Sequence, residues 1–432
     1  MSNSVTLYTE QTSMRLEYIA NHIFHTILEY DVQITSDKKT FLKSSGLRIN
    51  YSSSKIENAI QVTPYGLLNE KGVRPQCVEC FDWDGLPAFF ATDGDIPFDF
   101  FSAAFFLITR YEEYLPTPLD EHGRYMHQNS AAYRNGFLRR PLVDLWAYRF
   151  AALVDEGHIV HRKFKWVSTI DVDNFYKYRR NGICGSIALF LRDAMKGNLH
   201  EMHKRWWVLT HRLEDPYFNF GALQELHEHY RVRPRYFFHV GGCGHWDMHV
   251  LFPLWCVRYR RMVKAISSHY HIGVHPSYKA SRVQSRLEHE KRRLSHWVGR
   301  EIKRSRFHFL RMTLPDSYRK LLDAGIMSDY SMLYAGAIGF RASTSIPFHF
   351  YDVERDEIKN LRIHPIALMD RTLMRLREEG SKDLFAQVES MLEDVRKVSG
   401  QFVTLYHNQN LTYEHETAWN KKFYESLLRL IS

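Results

Sequence analysis

The 432-residue chain lacks any long apolar run. No stretch reaches the ~18–20 consecutive apolar residues that a membrane-spanning helix needs. The start of the chain, Met1 to Glu10, is polar and has no apolar core of the kind found in secretory signal peptides. The sequence therefore predicts a protein that has no transmembrane segment and is located in the cytoplasm.

Cysteine is scarce and shows no framework spacing. The chain has 5 Cys, an odd number, and a C-x-x-C motif at Cys77 and Cys80. No second pair accompanies this motif, so it supports zinc binding only weakly and two reduced thiols are the simpler interpretation. Repeats, low-complexity tracts and Pro/Gly-rich linkers are also absent, which predicts domains that pack tightly against each other.

The composition is that of a well-packed globular protein. Hydrophobic residues make up 44% and aromatic residues 14% of the chain, which excludes a disordered protein. A chain of this length is expected to form two domains. The net charge of +9 permits an anionic partner but requires none. The basic runs Arg258–Lys264 and Arg300–Arg306 are more typical of solvated helix faces, so we expect no nucleic-acid partner.

Residues 1–160 mix helical and strand patterns. Apolar residues at helical spacing predict helices, and short β-prone runs beside turn residues predict strands. The predicted helices are Met14–Tyr30, Asp99–Tyr114 and Pro141–Val154, and the predicted strands are Leu47–Tyr51, Ile60–Val62 and a hairpin over Cys80–Ala91. A boundary is expected at Gly157–Lys163. We therefore predict a smaller N-terminal domain of α+β or α/β type.

Residues 161–432 alternate between short apolar runs and longer helical stretches. The runs are Lys165–Ile170, Arg235–Val240, Ile272–His275, Phe307–Arg311, Ile338–Arg341 and Phe402–His407. The helices between or after them include Asn219–Tyr230, Leu254–Ser268, Arg282–Trp297, Pro315–Ala324, Leu384–Val398 and Ala418–Leu430. This alternation predicts a parallel sheet or barrel, in which functional groups sit at the C-terminal ends of the strands.

The first run, in the stretch Trp166–Asn174, ends in two carboxylates, Asp171 and Asp173. Placing a carboxylate pair at the end of a buried strand costs free energy, so such a pair indicates a metal site or proton transfer. A helix N-cap is the alternative, because Asp is a common cap and helical sequence follows. Residues two apart in a strand share a face, so both carboxylates could reach one site.

Polar and titratable residues recur at the ends of the predicted strands. They are His239 with His245, Asp247 and His249; His275 with Tyr278; Arg306 with His308; Arg341; and His407 with Asn408. Because these ends meet at one edge of a parallel sheet, the set predicts a functional site there. His239 and His249 could instead be loop or core histidines, and His308 could either bind a metal or bond a backbone carbonyl.

Four of these residues are candidate substrate-binding groups. Arg306 and Arg341 could clamp an anionic substrate group, because the guanidinium fork fits a carboxylate, or could form ion pairs at the rim. Tyr278 could form a sugar-stacking wall with Trp246 or could simply pack. Asn408 follows the last predicted strand and could donate to a substrate hydroxyl.

Several segments resemble the NodB-homology polysaccharide deacetylases. Three of them, in the order of that family, are Asp171-Val172-Asp173, Ile272–Ser277 and Leu405-Tyr406-His407. The segments Ser305–Arg311, Gly325–Ser331 and Gly339–Ser343 resemble a divergent bacterial subgroup in which a domain of unknown function precedes the deacetylase-like half. Phe98–Leu115 and His122–Leu145 are similar to that preceding domain. The resemblance covers most of the chain, through short motifs.

The resemblance implies an incomplete (β/α) barrel of deacetylase type over residues 161–432. It also implies a divalent metal, usually zinc, and removal of acetyl groups from amino sugars such as N-acetylglucosamine. Carried over to this chain, Asp171 would be the general base and Asp173 a metal ligand. His275 would be a second ligand, and His407 would be the general acid.

Two departures from the family bear on the metal site. Val172 separates carboxylates that are adjacent in the family, and Lys279 stands where the family has its second His. A protonated lysine has no lone pair to offer a metal. We therefore predict His308 as the replacement ligand, because it ends a neighbouring predicted strand. One Asp and two His would leave an open position for water, as catalytic zinc requires.

Three functions compete at this point. The first is a metal-dependent hydrolase that removes an acetyl group from an amino sugar or glycan precursor. The second is a catalytically inactive relative that binds carbohydrate, with Lys279 marking the loss of the metal. The third is a binding protein for an anionic polymer. A cytoplasmic location would fit a capsule, lipid-linked or small-molecule precursor as substrate.

Overall fold

The structure is a computed structural model that describes residues 4–179, 182–242, 246–247 and 253–431. Within these residues the chain forms a mixed α/β fold with two larger sheets, of four and nine strands, and a separate hairpin. Both larger sheets are mainly parallel. Every helix in the described part of the chain is too short or too polar to span a bilayer.

The N-terminal region contains the four-stranded parallel sheet, in the order β2-β1-β3-β4. Its strands are β1 (Ser4–Thr9), β2 (Asp31–Thr35), β3 (Leu47–Tyr51) and β4 (Ile60–Gln61). The hairpin consists of β5 (Phe81–Trp83) and β6 (Leu86–Ala88). The helices are α1 (Met14–Ala20), α2 (Lys38–Lys43), α3 (Phe100–Ile108), α4 (Ala131–Arg134) and α5 (Leu142–Val154).

Two predicted N-terminal helices are divided in the structure. After α1, which Ser13 caps by accepting from the Leu16 amide, the chain continues as a π-helix over Asn21–Ile27. After α3, Arg110 adopts a left-handed conformation with φ 57° and starts a short 3-10 helix. Every residue of α3 is buried, as expected for a helix that is apolar on all sides.

The nine-stranded sheet spans the C-terminal region in the order β12-β13-β11-β10-β9-β8-β7-β15-β14. Its central strands are β7 (Lys165–Val172), β8 (Arg235–Phe238), β9 (His271–Val274) and β15 (Gln401–His407). The others are β10 (Arg304–Ser305), β11 (Ser328–Asp329), β12 (Phe348–Asp352), β13 (Glu357–Ile363) and β14 (Leu368–Met369). The edge strands β12 and β14 do not pair with each other in the described chain, so the sheet is open.

The strand register decides which side chains share the C-terminal edge of this sheet. Asp171 lies opposite His407 and opposite Phe237, and Phe238 lies opposite Val274. The residues that follow β7, β8 and β9 therefore leave the sheet side by side. Most of the titratable residues at the ends of the predicted strands therefore lie at this edge.

Nine helices of the described chain accompany this sheet. They are α6 (Gly182–Met195), α7 (Leu199–Leu209), α8 (Phe220–His229), α9 (Pro253–His269), α10 (Gln284–Val298), α11 (Asp316–Asp323), α12 (Asp370–Glu378), α13 (Leu384–Lys397) and α14 (Ala418–Ile431). Helices α8 to α11, α13 and α14 lie where the sequence predicts them, within two residues at each end. No helix is predicted from the sequence at α6, α7 or α12.

Two predicted strands are wrong. Residues Phe307–Arg311 leave the sheet after β10 and form a 3-10 turn, because Phe309 has φ 60° and Leu310 has φ 51°. Residues Ile338–Arg341 are buried but form no strand. Their apolar character reflects packing against the N-terminal region, where the Phe340 amide donates to the Leu138 carbonyl.

The N-terminal and C-terminal regions share one continuous apolar core. Polar groups also cross between them. Glu113 binds the buried Arg341, and Asp144 accepts from Thr344 and Ser345. The predicted boundary near residue 160 falls in the extended connection between α5 and β7 and stays a prediction.

Candidate functional site

Three imidazoles surround one buried carboxylate at the C-terminal edge of the large sheet. Asp173 follows β7, His275 follows β9, His407 ends β15 and His308 lies in the turn after β10. The Nε2 atom of His275 lies 3.2 Å from Oδ1 of Asp173. The Nε2 atoms of His308 and His407 lie 3.8 Å and 3.6 Å from Oδ2. All four residues are buried.

Each imidazole presents Nε2 to this centre because its Nδ1 faces a fixed acceptor. The pairs are His275 with the Arg306 carbonyl oxygen (2.6 Å), His308 with Asp247 (3.1 Å) and His407 with Asp370 (2.7 Å). A hydrogen bond at one ring nitrogen fixes the tautomer and orientation of the other, as in metal sites with an outer shell of carboxylates and carbonyls.

The geometry fits a metal ion. One ligand atom each from Asp173, His275 and His308 lie within 4.8 Å of one another. Nε2 of His275 and Oδ1 of Asp173 are buried and face each other at 3.2 Å without hydrogen-bond geometry. Two buried polar atoms that form no hydrogen bond are costly unless a ligand binds both. A second buried group, His239 with Asp247, shares His308 with the first.

The charges of these groups reinforce one another. Burial would raise the pKa of Asp173, but the positive charges of His407 and His308 hold it well below its usual value. Burial lowers the pKa of His308, and Asp173 and Asp247 outweigh this effect and raise it to about 9. Burial also lowers the pKa of His407, but the charges of Asp370 and Asp173 outweigh this effect and raise it. A divalent cation that bound here would displace the protons on the imidazole nitrogens that become its ligands.

Asp171 lies beside this cluster with a different partner. Its Oδ1 accepts from Nη1 of Arg306 at 2.7 Å, and its Oδ2 lies 3.7 Å from Nε2 of His275. It belongs to β7, and α6 begins only at Gly182, so the N-cap alternative does not describe it. Asp171 and Asp173 thus reach the same site, as their spacing predicts.

The predicted arginine clamps do not fit their surroundings. Arg306 is fully buried, and its guanidinium also donates to Thr169 and to the Tyr330 carbonyl. Arg341 is buried against Glu113. Both guanidiniums are engaged by protein groups and neither lines the cleft described below, so we do not retain them as substrate-binding groups.

Asn408 and Tyr278 also lie beside the cleft and not on its wall. Asn408 is buried and donates to the carbonyl oxygens of Asn174 and Tyr217. The hydroxyl of Tyr278 lies 3.2 Å from Nδ1 of His122. Lys279 is exposed and is not among the cleft-lining residues. His245 and His249 lie outside the described residues.

An open cleft with an empty volume of about 860 Å³ gives access to the cluster. Asp171, Asp173 and the three imidazoles line it, together with the aromatic side chains of Trp246 and Phe309 and the cations Arg124 and Arg371. Trp246 is 41% exposed. The cleft therefore combines a buried polar centre with an aromatic and basic rim, which suits a polar ligand with apolar faces.

Three contributors to this site have only weak signals in the sequence. Asp370 follows β14, a strand of two residues that is too short to show a pattern. Asp247 is one of several polar residues after the predicted strand Arg235–Val240. Arg124 lies in the N-terminal region, in a polar stretch with Asp120 and His122.

Comparisons with known proteins give a limited picture. Residues 5–158 match a family described as "Family of unknown function (DUF7033)". No curated protein matches the chain. A crystal structure from Mycobacterium smegmatis, described as that of a "putative polysaccharide deacetylase", is similar with a TM-score of 0.37 and 12% identity. The likeness covers 62% of this chain and 85% of that chain, and a score this low does not establish a shared fold.

Proposed function

We propose that the protein is a metal-dependent hydrolase that removes an acetyl group from an acetylated amino sugar or glycan precursor. Residues 161–432 would form the incomplete (β/α) barrel of the deacetylases that its motifs resemble. The convergence of Asp173, His275 and His308, with each imidazole aimed by a fixed acceptor, carries the proposal. Lys279 is exposed and does not line the cleft, which supports a metal site that its ammonium group does not occupy.

The donor set suits zinc. Zinc prefers imidazole nitrogen and carboxylate oxygen in a tetrahedral arrangement, and a catalytic site keeps one position open. Asp173, His275 and His308, which all line the cleft, would hold the ion. The chemistry that a divalent ion supplies at such a site is polarisation of a carbonyl group and activation of water.

Asp171 would act as the general base. It lines the cleft, with its Oδ2 3.7 Å from Nε2 of His275, and its carboxylate could accept a proton from attacking water. Arg306 binds Oδ1 and so fixes the direction of the carboxylate. This makes Arg306 a positioning residue for the base.

His407 would act as the general acid. Its Nδ1 faces Asp370, and its Nε2 faces the cleft 3.6 Å from Asp173. Asp370 also accepts from the His407 amide at 2.7 Å, so both the ring and its backbone are held by one carboxylate. A proton on Nε2 could pass to the leaving amine or hydroxyl.

The test is to compare wild type with Asp173→Asn, which keeps the size of the side chain but removes its charge. We expect about one equivalent of zinc per wild-type chain and acetate release from N- or O-acetylated amino-sugar oligomers. Asp173→Asn should lose metal affinity by about 100-fold or more, because it removes a direct ligand. The exposed Asp323→Asn is the matched control.

Two results would contradict the proposal. Equal metal content in wild type and Asp173→Asn would place the ion elsewhere. A metal-loaded wild type that binds acetylated oligomers without releasing acetate would instead identify a carbohydrate-binding protein.

A further inference from the structure

A loop of the N-terminal region lies against the turn that carries His308. Nη1 of Arg124 donates to the Phe309 carbonyl at 2.7 Å. In return, Nε of Arg311 donates to the His122 carbonyl at 2.8 Å. We call these two reciprocal contacts the arginine latch. It joins the loop 120–124 to the residues that directly follow a candidate metal ligand.

The turn needs such support because its backbone is strained. Phe309 has φ 60° and Leu310 has φ 51°, and neither residue is glycine. Two successive L-residues in the left-handed region persist only where their surroundings hold them, and such strain concentrates at functional sites. The Leu310 amide donates to the Phe307 carbonyl at 2.9 Å, while the Phe309 carbonyl is held from outside the turn, by Arg124.

Both sides of the latch are themselves fixed. Nε of Arg124 donates to Asp120 at 2.7 Å, and the other oxygen of Asp120 accepts from the backbone amides of His122 and Arg124. Arg311 donates to the Tyr278 carbonyl and stacks over the Tyr278 ring, with its guanidinium carbon 4.2 Å from the ring centroid. The loop is therefore preorganised and not an incidental surface contact.

We propose that the loop 120–124 positions the metal ligand His308, and that Arg124 is its key residue. By holding the carbonyl next to His308, Arg124 keeps the Nε2 atom aimed at Asp173. The proposal deepens the proposed function and rests on it. It assigns a role at the site to the N-terminal region, which matches a family of unknown function.

The test measures cobalt affinity in a double-mutant cycle of Arg124→Ala and His308→Ala. Alone, Arg124→Ala should raise the Kd for Co²⁺ by about 10–100-fold, as loss of an outer-shell contact does. In the His308→Ala background it should have no further effect, because the two residues act as one unit. Arg124→Lys should recover part of the affinity, because one ammonium can still reach the carbonyl.

Arg139→Ala is the matched control. Arg139 is exposed and also donates across the two regions, to Gln387 at 2.6 Å, away from the cleft. It should leave the Kd for Co²⁺ unchanged. A second readout is hydrogen exchange of residues 305–312 in the metal-free protein, which should become faster in Arg124→Ala and remain unchanged in Arg139→Ala.

Two outcomes would overturn the positioning role. Equal losses of cobalt affinity in both backgrounds would show a general structural effect. An unchanged Kd with a raised KM would show that Arg124 contacts substrate instead. If the proposed function fails, the pattern is different, because the wild-type protein would bind no cobalt. Faster hydrogen exchange in Arg124→Ala would still support the role of the latch in holding the turn.

Discussion

Two aspartates that are separated by a single residue have different surroundings. Asp171 is bound to the guanidinium of Arg306, whereas Asp173 faces three imidazoles. This asymmetry supports the proposal that the first transfers protons and the second binds metal. Although Val172 separates them, both carboxylates reach the site from the end of the same strand.

Asp171→Asn should therefore separate chemistry from metal binding. The amide keeps the size of the side chain but cannot accept a proton, so we expect kcat to fall by about 10²–10⁴-fold. Metal content should stay at the wild-type level, because Asp173, His275 and His308 are unchanged. Elemental analysis and acetate release on the same preparation check both points. Retained turnover would reject Asp171 as the base.

His22 should make the protein sensitive to acid. Burial lowers its pKa to about 3, with smaller contributions from Arg162 and His349. Between pH 6.5 and 3 the unfolded chain binds a proton that the folded protein excludes, so the free energy of unfolding falls as the pH falls. Each pH unit in this window removes up to about 1.4 kcal/mol.

Urea unfolding of His22→Gln at pH 7.5, 6 and 5 tests this expectation. The variant should lose stability less steeply than wild type over this range, by the equivalent of one proton. The exposed His296→Gln should keep the wild-type slope. Identical slopes for His22→Gln and wild type would show that His22 is protonated in the folded protein.

At the scale of single elements, β9 is packed so closely that one position admits only glycine. A Cβ atom at Gly273 would lie 2.5 Å from the Phe237 ring and 2.9 Å from the Arg304 carbonyl. Gly273→Ala should destabilise the protein by about 1–3 kcal/mol through overpacking. At Gly221, in α8, no atom lies within 4 Å of the added Cβ, so Gly221→Ala should stabilise by about 0.5–1 kcal/mol. The melting temperatures of the two variants test this expectation. Equal shifts in melting temperature would contradict the close packing around β9.

The elements that could be predicted from the sequence are those with a recognisable local pattern. Strands β7, β8, β9 and β15 are short, mainly apolar runs between turn and helical sequence, and their positions follow from that pattern. Strands β10, β11 and β14 have two residues each, which is too short to carry any periodicity. The run Phe307–Arg311 is apolar like a strand, but the left-handed residues that turn it are set by tertiary contacts.

The same distinction applies to the site. The residues proposed as ligands, base and acid follow from strand ends and motif resemblance, because these lie in local sequence. The residues that support them cannot be identified in this way. Asp370 acts on His407 and Asp247 acts on His308 across large sequence separations, and only the folded chain shows these pairs.

At the scale of the whole molecule, the two regions are joined by a buried charge cluster. Glu113 of the N-terminal region binds Arg110 of its own region and Arg341 of the other. All three side chains are at most 2% exposed. The two guanidiniums hold the pKa of Glu113 below its usual value against the effect of burial. Arg110 also pairs with Glu112 at 2.7 Å, so Arg341 is the guanidinium whose charge balance depends on Glu113.

Glu113→Gln should destabilise both regions together. It removes the buried counter-ion of Arg341 and leaves Arg110 with Glu112 alone, which costs about 3–5 kcal/mol. Hydrogen exchange should become faster in strands of both sheets, because the regions share one core. Glu70→Gln, which removes an ion pair with the 65%-exposed Arg74, should cost less than about 1 kcal/mol. Faster exchange confined to the N-terminal sheet would show that the regions unfold independently.

The cleft takes its floor and part of its rim from different stretches of polypeptide. The groups proposed to transfer protons come from the edge of the large sheet, whereas Arg124 comes from the N-terminal region. Under the proposed function, exchanging that region among relatives would change which substrates enter while leaving the hydrolytic groups in place. Substrate specificity could then evolve separately from the reaction itself. A comparison of natural variants of the N-terminal region would show which glycans each variant admits.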